Sequence, residues 1–247
     1  MIIVQMSSNH SVMVTRESLH GVIYSLLSDS YHNYGIGVEF PNHDTMRGHT
    51  FFIKTGEYPA GVPILLEFRG IDAIERSFEN AVNQVDSLRI KDTVMQIDQI
   101  YTLKPLLSRQ FKTGKPILTR ISTDRPEAKK IIRVGQKTAY LTHNDDPAIW
   151  IAAVQHNLKR RGQALMGDLF IKEHGGPVIR VIGAHDVRDR IEIKYRDLVV
   201  RGTEAVLEIS DTAWAEVAYR IGLGERCTYG FGVLKALSPQ QSVAIAR

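Results

Sequence analysis

The sequence predicts an α+β protein made of two tandem ferredoxin-like (RRM-like) domains, each an antiparallel sheet backed by two helices. The apolar pattern of the first hundred residues predicts the order strand, helix, strand, strand, helix, strand. The same order returns in the second half with an additional hairpin, and a glycine-rich loop precedes the last strand. The polar, basic stretch 108–115 is the natural boundary, so we predict domains 1–110 and 111–247.

In the first half, the Ile- and Val-rich residues 1–6 predict a buried strand, and Thr15 can cap the helix that follows. That helix carries one apolar stripe at helical spacing, formed by Leu19, Val22, Ile23, Leu26 and Leu27. Residues 30–50 are rich in Gly, Asn, His and Pro and predict a long loop. The remaining predicted elements are strands at 51–53 and 64–68, a helix over 71–85 and a strand over 94–103.

In the second half, Pro147 begins a helix behind Asp145 and Asp146, two candidate caps. Ser210 is the expected cap of the last helix, and Gly222 is expected to end it. The predicted strands are 116–119, a hairpin of 178–182 with 191–200, a short strand 205–209 and a closing strand 231–237.

Composition places few limits on function. The chain has 247 residues and carries 31 Lys and Arg against 27 Asp and Glu, a net charge of +4 with a pI near 9.1. This mild excess is compatible with a polyanionic partner but does not establish one. Cys227 has no second cysteine to pair with, which fits a reducing compartment. With no apolar run of ~18 residues and no signal-peptide pattern, we expect a cytoplasmic protein without a membrane partner.

The most specific local feature is the segment Gly222–Gly232, in which four of eleven residues are glycine: Gly222, Gly224, Gly230 and Gly232. Glycine permits positive φ and lets the backbone approach a phosphate, and Arg226 within the loop could pair with one. A plain structural interpretation, a helix C-cap followed by a bulged strand entry, also fits. The segment is neither a Walker loop nor a dinucleotide fingerprint, because its glycines end a helix instead of opening one.

This glycine-rich segment resembles the C-terminal motif of the repeat-associated mysterious protein (RAMP) superfamily. Its form here, Ala-Tyr-Arg-Ile-Gly-Leu-Gly followed by Gly-Phe-Gly-Val-Leu, resembles the CRISPR repeat-processing endoribonucleases, the sixth of the Cas protein families. The helix 19–27, Leu-His-Gly-Val-Ile-Tyr-Ser-Leu-Leu, is similar to that family's first helix, and His43 before a Thr-Phe-Phe strand is a third match. The resemblance implies metal-independent cleavage of CRISPR repeat RNA (pre-crRNA) to guide RNA, without a cofactor.

The resemblance also implies catalytic residues. It places the general acid–base histidine on His43, with His32 as the alternative, and a tyrosine on Tyr24. Arg47 and His49 remain open for a cationic role. Independently, Tyr24 falls ~140° around the helical wheel from Leu19, whereas the apolar stripe centres near ~10°, so Tyr24 is not a core residue. The His-rich loop has no Cys and no ordered His-x₃-His spacing, so no metal site is predicted.

We expect RNA contacts from basic residues as well as from the glycine-rich loop. Alternate positions of a hairpin share a face, so basic residues there could hold the phosphates of an RNA stem by shape. A charge run is also the ordinary mark of a solvated surface. The predicted RNA-binding residues are Arg47, Lys54, Lys159, Arg160, Arg188, Arg190, Lys194, Gly222, Gly224, Arg226, Gly230 and Gly232.

Two other functions stay open at this level. A non-catalytic RAMP-type subunit could bind guide RNA (crRNA) within a CRISPR effector complex. A small-molecule enzyme could use the same scaffold, because ferredoxin-like folds carry many functions. The expected partners are repeat RNA and crRNA. Effector-complex subunits and a homodimer are left open.

Overall fold

The structure, a computed structural model, describes residues 1–33, 38–39, 45–46, 48–104, 108–122, 138–193 and 196–237. Within these ranges, the side chains of 28–33, 38–39, 45–46, 138–139, 189–193 and 196–199 are not described. The chain divides into two compact units. Unit 1 is Met1–Leu106 together with Thr228–Gly230, and unit 2 is Leu107–Cys227 with Phe231–Arg247.

Unit 1 contains nine strands and two helices among its described residues. The strands are β1 (Ile2–Ser7), β2 (Val12–Val14), β3 (Val38–Glu39), β4 (Thr45–Met46), β5 (His49–Phe52), β6 (Gly56–Tyr58), β7 (Ile64–Gly70), β8 (Ser87–Ile90) and β9 (Thr93–Thr102). The helices are α1 (Arg16–Asn33) and α2 (Asp72–Val82).

The main sheet of unit 1 has the order β5-β7-β1-β9-β8, and every neighbouring pair is antiparallel. With α1 between β1 and β5 and α2 after β7, the strands β1, β5, β7 and β9 take the 4-1-3-2 order of a ferredoxin-like fold. The short hairpin strand β8 extends the edge at β9. Beside this sheet, β2 pairs with β6 and β3 pairs with β4.

The helices of unit 1 are held by their apolar stripes. On α1, Leu19, Ile23 and Leu27 are fully buried, and their partly buried neighbours Val22 and Leu26 pack against the same core. Thr15 caps α1 as predicted, since its hydroxyl accepts a hydrogen bond from the Ser18 N–H at 3.3 Å. The helix α2 buries Ile74, Phe78 and Val82 on its inner face.

Unit 2 repeats this arrangement. Its strands are β10 (Gln110–Thr113), β11 (Thr119–Ser122), β12 (Thr138–Leu141), β13 (Ile179–Ile193), β14 (Arg196–Ile209) and β15 (Leu234–Ala236). Its helices are α3 (Pro147–Met166), α4 (Asp168–His174) and α5 (Thr212–Ile221), with a 3₁₀ turn at Cys227–Tyr229 that extends into unit 1. The sheet order β13-β14-β10-β15, with α3 after β10 and α5 after β14, is again ferredoxin-like. The prediction of two such domains is confirmed.

Several predicted elements differ from the structure. The stretch 108–115, predicted as the boundary, contains the central strand β10, because Phe111 and Thr113 alternate inward while Lys112 points outward. The predicted strand 116–119 is instead an isolated bridge at Ile117 that leads into β11. Residues 196–200 and 205–209 belong to one continuous strand, β14, which pairs along its length with β13, whereas residues 191–193 are the end of β13.

The predicted ends of the helices agree with the structure in part. Asp146 caps α3 and Gly222 ends α5, as predicted. The cap of α5, however, is Asp211 and not Ser210, since the Asp211 carboxylate accepts from the Trp214 N–H at 2.9 Å. The predicted loop over 30–50 begins later, because α1 continues to Asn33, and it includes the β3–β4 pair. No helix in the described residues is long and apolar enough to cross a bilayer.

Candidate functional site

Tyr24 lies on α1, half-buried and away from the core stripe, as its wheel position predicted. One turn earlier on the same helix is His20, and the two ring centroids are 6.4 Å apart with a tilt of 44°. Residues four apart lie on the same helical face. The helix therefore presents an imidazole and a phenol together.

The same face of α1 receives a piece of the glycine-rich segment. His20 Nδ1 lies 3.0 Å from the carbonyl oxygen of Thr228, and its ring stacks on that of Tyr229 with centroids 3.8 Å apart. A carbonyl oxygen only accepts hydrogen bonds, so Nδ1 must carry a proton. In the neutral ring, Nε2 is then the acceptor nitrogen. This contact holds the two sequence motifs together within unit 1.

Gly230 follows this contact and has a structural reason to be glycine. Its φ is +75°, and a Cβ atom at this position would lie 3.0 Å from the backbone oxygen of Phe51. Both features exclude an unstrained L-amino-acid side chain. The segment Thr228–Gly230 is therefore seated between α1 and β5, the strand that follows the predicted histidine loop.

His49 begins β5 and is only 1% exposed. Its ring stacks on Phe68 at a centroid distance of 5.4 Å, and Phe68 in turn stacks on Phe78 at 3.9 Å. The imidazole is one end of a buried aromatic row. In this conformation it does not present its ring at the surface.

In unit 2, the remainder of the glycine-rich segment is organised by Arg161. This side chain is 7% exposed. Its guanidinium donates hydrogen bonds to the carbonyl oxygens of Ile221 at 2.6 Å and of Gly222 at 3.1 Å, with a longer one to Gly224 at 3.4 Å. These carbonyls belong to the end of α5 and the loop after it, where a helix leaves its acceptors unsatisfied. Arg161 thus caps the helix and orders the loop.

The other glycines of the segment are likewise buried and have positive φ. A Cβ at Gly224 would lie 2.4 Å from the Leu118 oxygen, and one at Gly232 would lie 1.8 Å from the Leu223 oxygen. Gly222 is tight against Cys227. Their close packing is required by the fold independently of RNA, whereas their contact with RNA stays a prediction. Arg226 also has a positive φ of 56°, and its buried Nε has no hydrogen-bond partner among the described residues.

The remaining predicted residues are distributed as follows. Lys54, Lys159, Arg160 and Arg188 are exposed. Lys159 and Arg160 lie within α3, which continues to Met166. His43, Arg47 and Lys194 lie outside the described residues, as do the side chains of His32 and Arg190. In the part of the chain that is described, no three His, Cys, Asp or Glu side chains converge as metal ligands.

Comparison with known proteins decides the family. Residues 103–236, more than half of the chain, match the family model of the C-terminal region of CRISPR associated protein Cas6. The chain belongs to the Cas6 family. The resemblance inferred from the glycine-rich segment and the first helix is thereby confirmed. No match was found among curated proteins.

Solved structures of Cas6 and RAMP proteins share the fold over nearly the whole chain. A structure of CRISPR associated protein Cas6 has 18% identity and a TM-score of 0.69, covering 96% of this chain and 98% of the other. A Cas6-related protein from Pyrococcus furiosus has 18% identity and a TM-score of 0.73, covering 97% and 98%. A RAMP protein described as binding different RNA substrates has 17% identity and a TM-score of 0.67, covering 96% and 99%.

Two residues of this Cas6-family chain were missed from sequence. His20 precedes Tyr24 by one helical turn, and that spacing alone could have drawn attention to it. Arg161 follows the predicted RNA-binding residues Lys159 and Arg160 in the sequence and was not singled out itself. It continues the buried stripe of Trp150, Val154 and Leu158 at helical spacing, which was a readable signal of burial.

Proposed function

We propose that this chain is a metal-independent endoribonuclease that cleaves CRISPR repeat RNA to guide RNA. Its membership of the Cas6 family carries the proposal. The contact between His20 on α1 and Thr228 of the glycine-rich segment supports it, because it joins the two motifs on which the resemblance rests. Similar folds occur in a protein described as a RAMP protein binding different RNA substrates and in a Cas6 product complex.

The proposed reaction is an internal transesterification. A base removes the proton of the ribose 2′-OH, and the 2′ oxygen attacks the adjacent phosphorus in line. The bond from phosphorus to the 5′ oxygen breaks, and an acid protonates that oxygen. The products are a 2′,3′-cyclic phosphate and a 5′-OH. The reaction needs no other reactant, because one proton leaves the 2′ oxygen and one is added to the 5′ oxygen. A histidine can carry both proton transfers near neutral pH.

In this proposal His43 is the general acid–base residue, and Tyr24 orients the sugar or phosphate. Of the two candidates for the cationic role, the burial of His49 in an aromatic row favours Arg47, because a charge on the phosphorane is stabilised only by a donor that can approach it. His49 then supports the strand that follows the loop. Since His20 adjoins Tyr24, it positions the phenol and the segment Thr228–Gly230 relative to each other.

RNA is proposed to contact basic residues of each unit. In unit 1 this is the exposed Lys54, and in unit 2 they are the exposed Lys159, Arg160 and Arg188 together with Arg190, Lys194 and Arg226. In β13, Arg188 lies directly opposite Arg201 of β14. Arg201 is held by Asp145, with an N–O distance of 3.2 Å. The ion pair directs Arg201 to the Asp145 carboxylate. Arg188, directly opposite, is exposed and can bind a phosphate. The proposed partner is repeat RNA. Assembly with effector-complex subunits, a homodimer and a cytoplasmic location remain predictions.

The deciding experiment incubates the protein with a panel of CRISPR repeat RNAs in EDTA and resolves the products on a gel. We expect cleavage with cyclic-phosphate ends. A substrate with a 2′-deoxy nucleotide at the cut site should stay intact, because the attacking group is missing. If EDTA abolished cleavage and Mg²⁺ or Mn²⁺ restored it, the proposed mechanism would be wrong. If the wild-type protein bound repeat RNA but never cut it, the chain would be a non-catalytic RNA-binding subunit.

A further inference from the structure

Unit 2 contains a groove of about 590 Å³ on the side where the glycine-rich segment crosses the start of β11. Gly224 and Glu225 form one wall, the β11–β12 hairpin a second, and α3 the third. An isolated bridge between Leu118 and Glu225 fixes the loop to the hairpin. The volume lies within the range of sites for single small ligands, roughly 300–1,000 Å³, and is too small for an RNA stem.

The wall on α3 is a second helical stripe, separate from the core stripe. The residues Ile149, Ala152, Ala153, His156, Asn157 and Arg160 recur at spacings of three and four. At ~100° per residue this stripe centres ~125° away from the buried stripe. Its first half is apolar and small, which leaves room for a ligand. Its second half is polar and cationic.

The groove is thus apolar at one end and basic at the other. Ile149, Ala152 and Ala153 line the apolar end above the buried side chains of Ile121 and Leu141, and His156 and Arg160 are exposed at the basic end. The carboxylate of Glu225 is paired with Arg120, so it does not oppose an anion entering the basic end. This arrangement suits a flat, apolar-faced group attached to an anion.

Two polar atoms at the groove walls lack partners among the described residues. Thr119, which is 5% exposed, has a buried Oγ1 without a hydrogen bond, and so does Asn157 at Oδ1. Buried polar groups are nearly always satisfied, so such atoms need an explanation. The Thr119 hydroxyl and the Asn157 amide, both on the groove walls, can hydrogen-bond the edge of a nucleobase.

We propose that this groove binds one unpaired nucleotide of the RNA, with its base against Ile149, Ala152 and Ala153 and its phosphate at His156 and Arg160. The inference rests on the proposed function. The stem would be recognised by its shape, and the groove would recognise one single-stranded base. Proteins make sequence-specific contacts with RNA mainly at such unstacked bases.

The test is a titration of the ¹⁵N-labelled full-length protein, followed by NMR, with AMP, CMP, GMP or UMP and with inorganic phosphate as the anion alone. We expect at least one nucleotide to shift the amide signals of Ile121 and Gly224, and phosphate to shift them far less. Equal shifts with phosphate would mean an anion site without base recognition. No shift with any nucleotide would overturn the proposal.

Variants separate this site from the rest of the surface. Ala153→Leu should fill the groove and weaken nucleotide affinity by at least about tenfold, whereas Ala148→Leu, on the same helix but outside the groove, should not. Arg160→Gln should weaken affinity several-fold, and Lys172→Gln, an equal change of charge on α4, should not. If Ala153→Leu does not fold, Arg160→Gln decides. If nucleotides miss the groove while repeat RNA is still cut, this inference fails and the proposed function stands.

Discussion

His20 Nδ1 donates a hydrogen bond of 3.0 Å to the carbonyl oxygen of Thr228, a residue 208 positions later in the chain. Together with the stack on Tyr229, this bond attaches the segment Thr228–Gly230 to the helix that carries Tyr24. It is the direct physical link between the two sequence motifs that indicate the Cas6 family.

The first prediction concerns that link. His20→Ala should lower the free energy of unfolding by about 1–2 kcal/mol, since it removes the hydrogen bond to Thr228 and the ring stack on Tyr229. It should also slow RNA cleavage, because Tyr24 loses its neighbour. Urea unfolding and single-turnover cleavage measure the two effects. Tyr24→Phe is measured beside it, because that variant keeps the ring next to His20 and removes only the phenol hydroxyl. A stable His20→Ala variant with wild-type cleavage would contradict the positioning role.

The second prediction concerns the catalytic histidine. His43→Ala should slow single-turnover cleavage by roughly 10²–10⁴, the usual contribution of positioned proton transfer, with RNA affinity unchanged within a few-fold. Tyr24→Phe should have a smaller effect, because its hydroxyl does not carry the proton.

His32→Ala and His49→Ala are compared with His43→Ala on one repeat RNA. His49→Ala should chiefly destabilise the protein, since it empties a buried position beside Phe68, so thermal unfolding is measured in parallel. If His32→Ala were the inactive variant, the assignment within the loop would change but the mechanism would stand. If none of the three slowed cleavage tenfold, the site would lie elsewhere.

The third prediction separates two costs at Gly230. Gly61 has nearly the same φ, +76° against +75°, but nothing lies within 4 Å of a Cβ there. Gly61→Ala should therefore cost about 1–2 kcal/mol from backbone conformation alone. Gly230→Ala should cost clearly more, because its Cβ also presses on the Phe51 oxygen. If both variants lost the same free energy of unfolding in chemical denaturation, the structure would accommodate the Cβ atom beside the Phe51 oxygen without further cost.

RNA affinity of the Gly230→Ala variant is measured under conditions where it is fully folded. We expect weaker binding than in wild type, whereas Gly61→Ala should bind normally. Unchanged affinity in folded Gly230→Ala would leave the glycine with a purely structural role.

The fourth prediction concerns Arg161. Arg161→Met should lower the free energy of unfolding by about 2–4 kcal/mol, because the carbonyls of Ile221 and Gly222 lose a charged donor in a buried place. Arg160→Met, one position earlier but exposed, should change stability by less than ~0.5 kcal/mol. Urea denaturation of the two variants checks this, and similar losses in both would refute the capping role.

The fifth prediction concerns pH and the Asp211 cap. Burial alone raises the pKa of this carboxyl, but hydrogen bonds from the Trp214 N–H and from His174 outweigh it, so the net pKa is below its usual value. A carboxyl with a lowered folded pKa stabilises the fold above its unfolded pKa, and this contribution is lost as pH falls through the folded pKa.

Asp211→Ala should therefore cost about 1 kcal/mol at neutral pH, the usual value of an N-cap, and the wild-type and variant stabilities should converge in acid. Asp211→Asn keeps a capping oxygen without titrating. It should stay close to wild type at neutral pH and lose little on acidification. Thermal unfolding from neutral to acidic pH distinguishes these curves, and a constant gap between wild type and Asp211→Ala would contradict the linkage.

Local patterns predicted those parts of the protein that depend on neighbours in sequence. The stripe of Leu19, Ile23 and Leu27 predicted α1, and Asp146 before Pro147 predicted the start of α3. These local patterns did not predict short elements, in which few residues show the alternation of buried and exposed positions. β10 has four residues, and its Lys112 together with the flanking basic residues concealed the inward alternation of Phe111 and Thr113.

By itself, the sequence determined the two-domain α+β fold and the family. Hydrophobic periodicity depends on nearby residues, and the glycine-rich segment keeps a characteristic order along the chain. Only the tertiary structure decided that His20 meets Thr228, that Arg161 is buried against the end of α5, and that His49 lies in an aromatic row. Such contacts join residues far apart in the chain, and the burial of a charged or titratable side chain depends on which distant groups complete its hydrogen bonds.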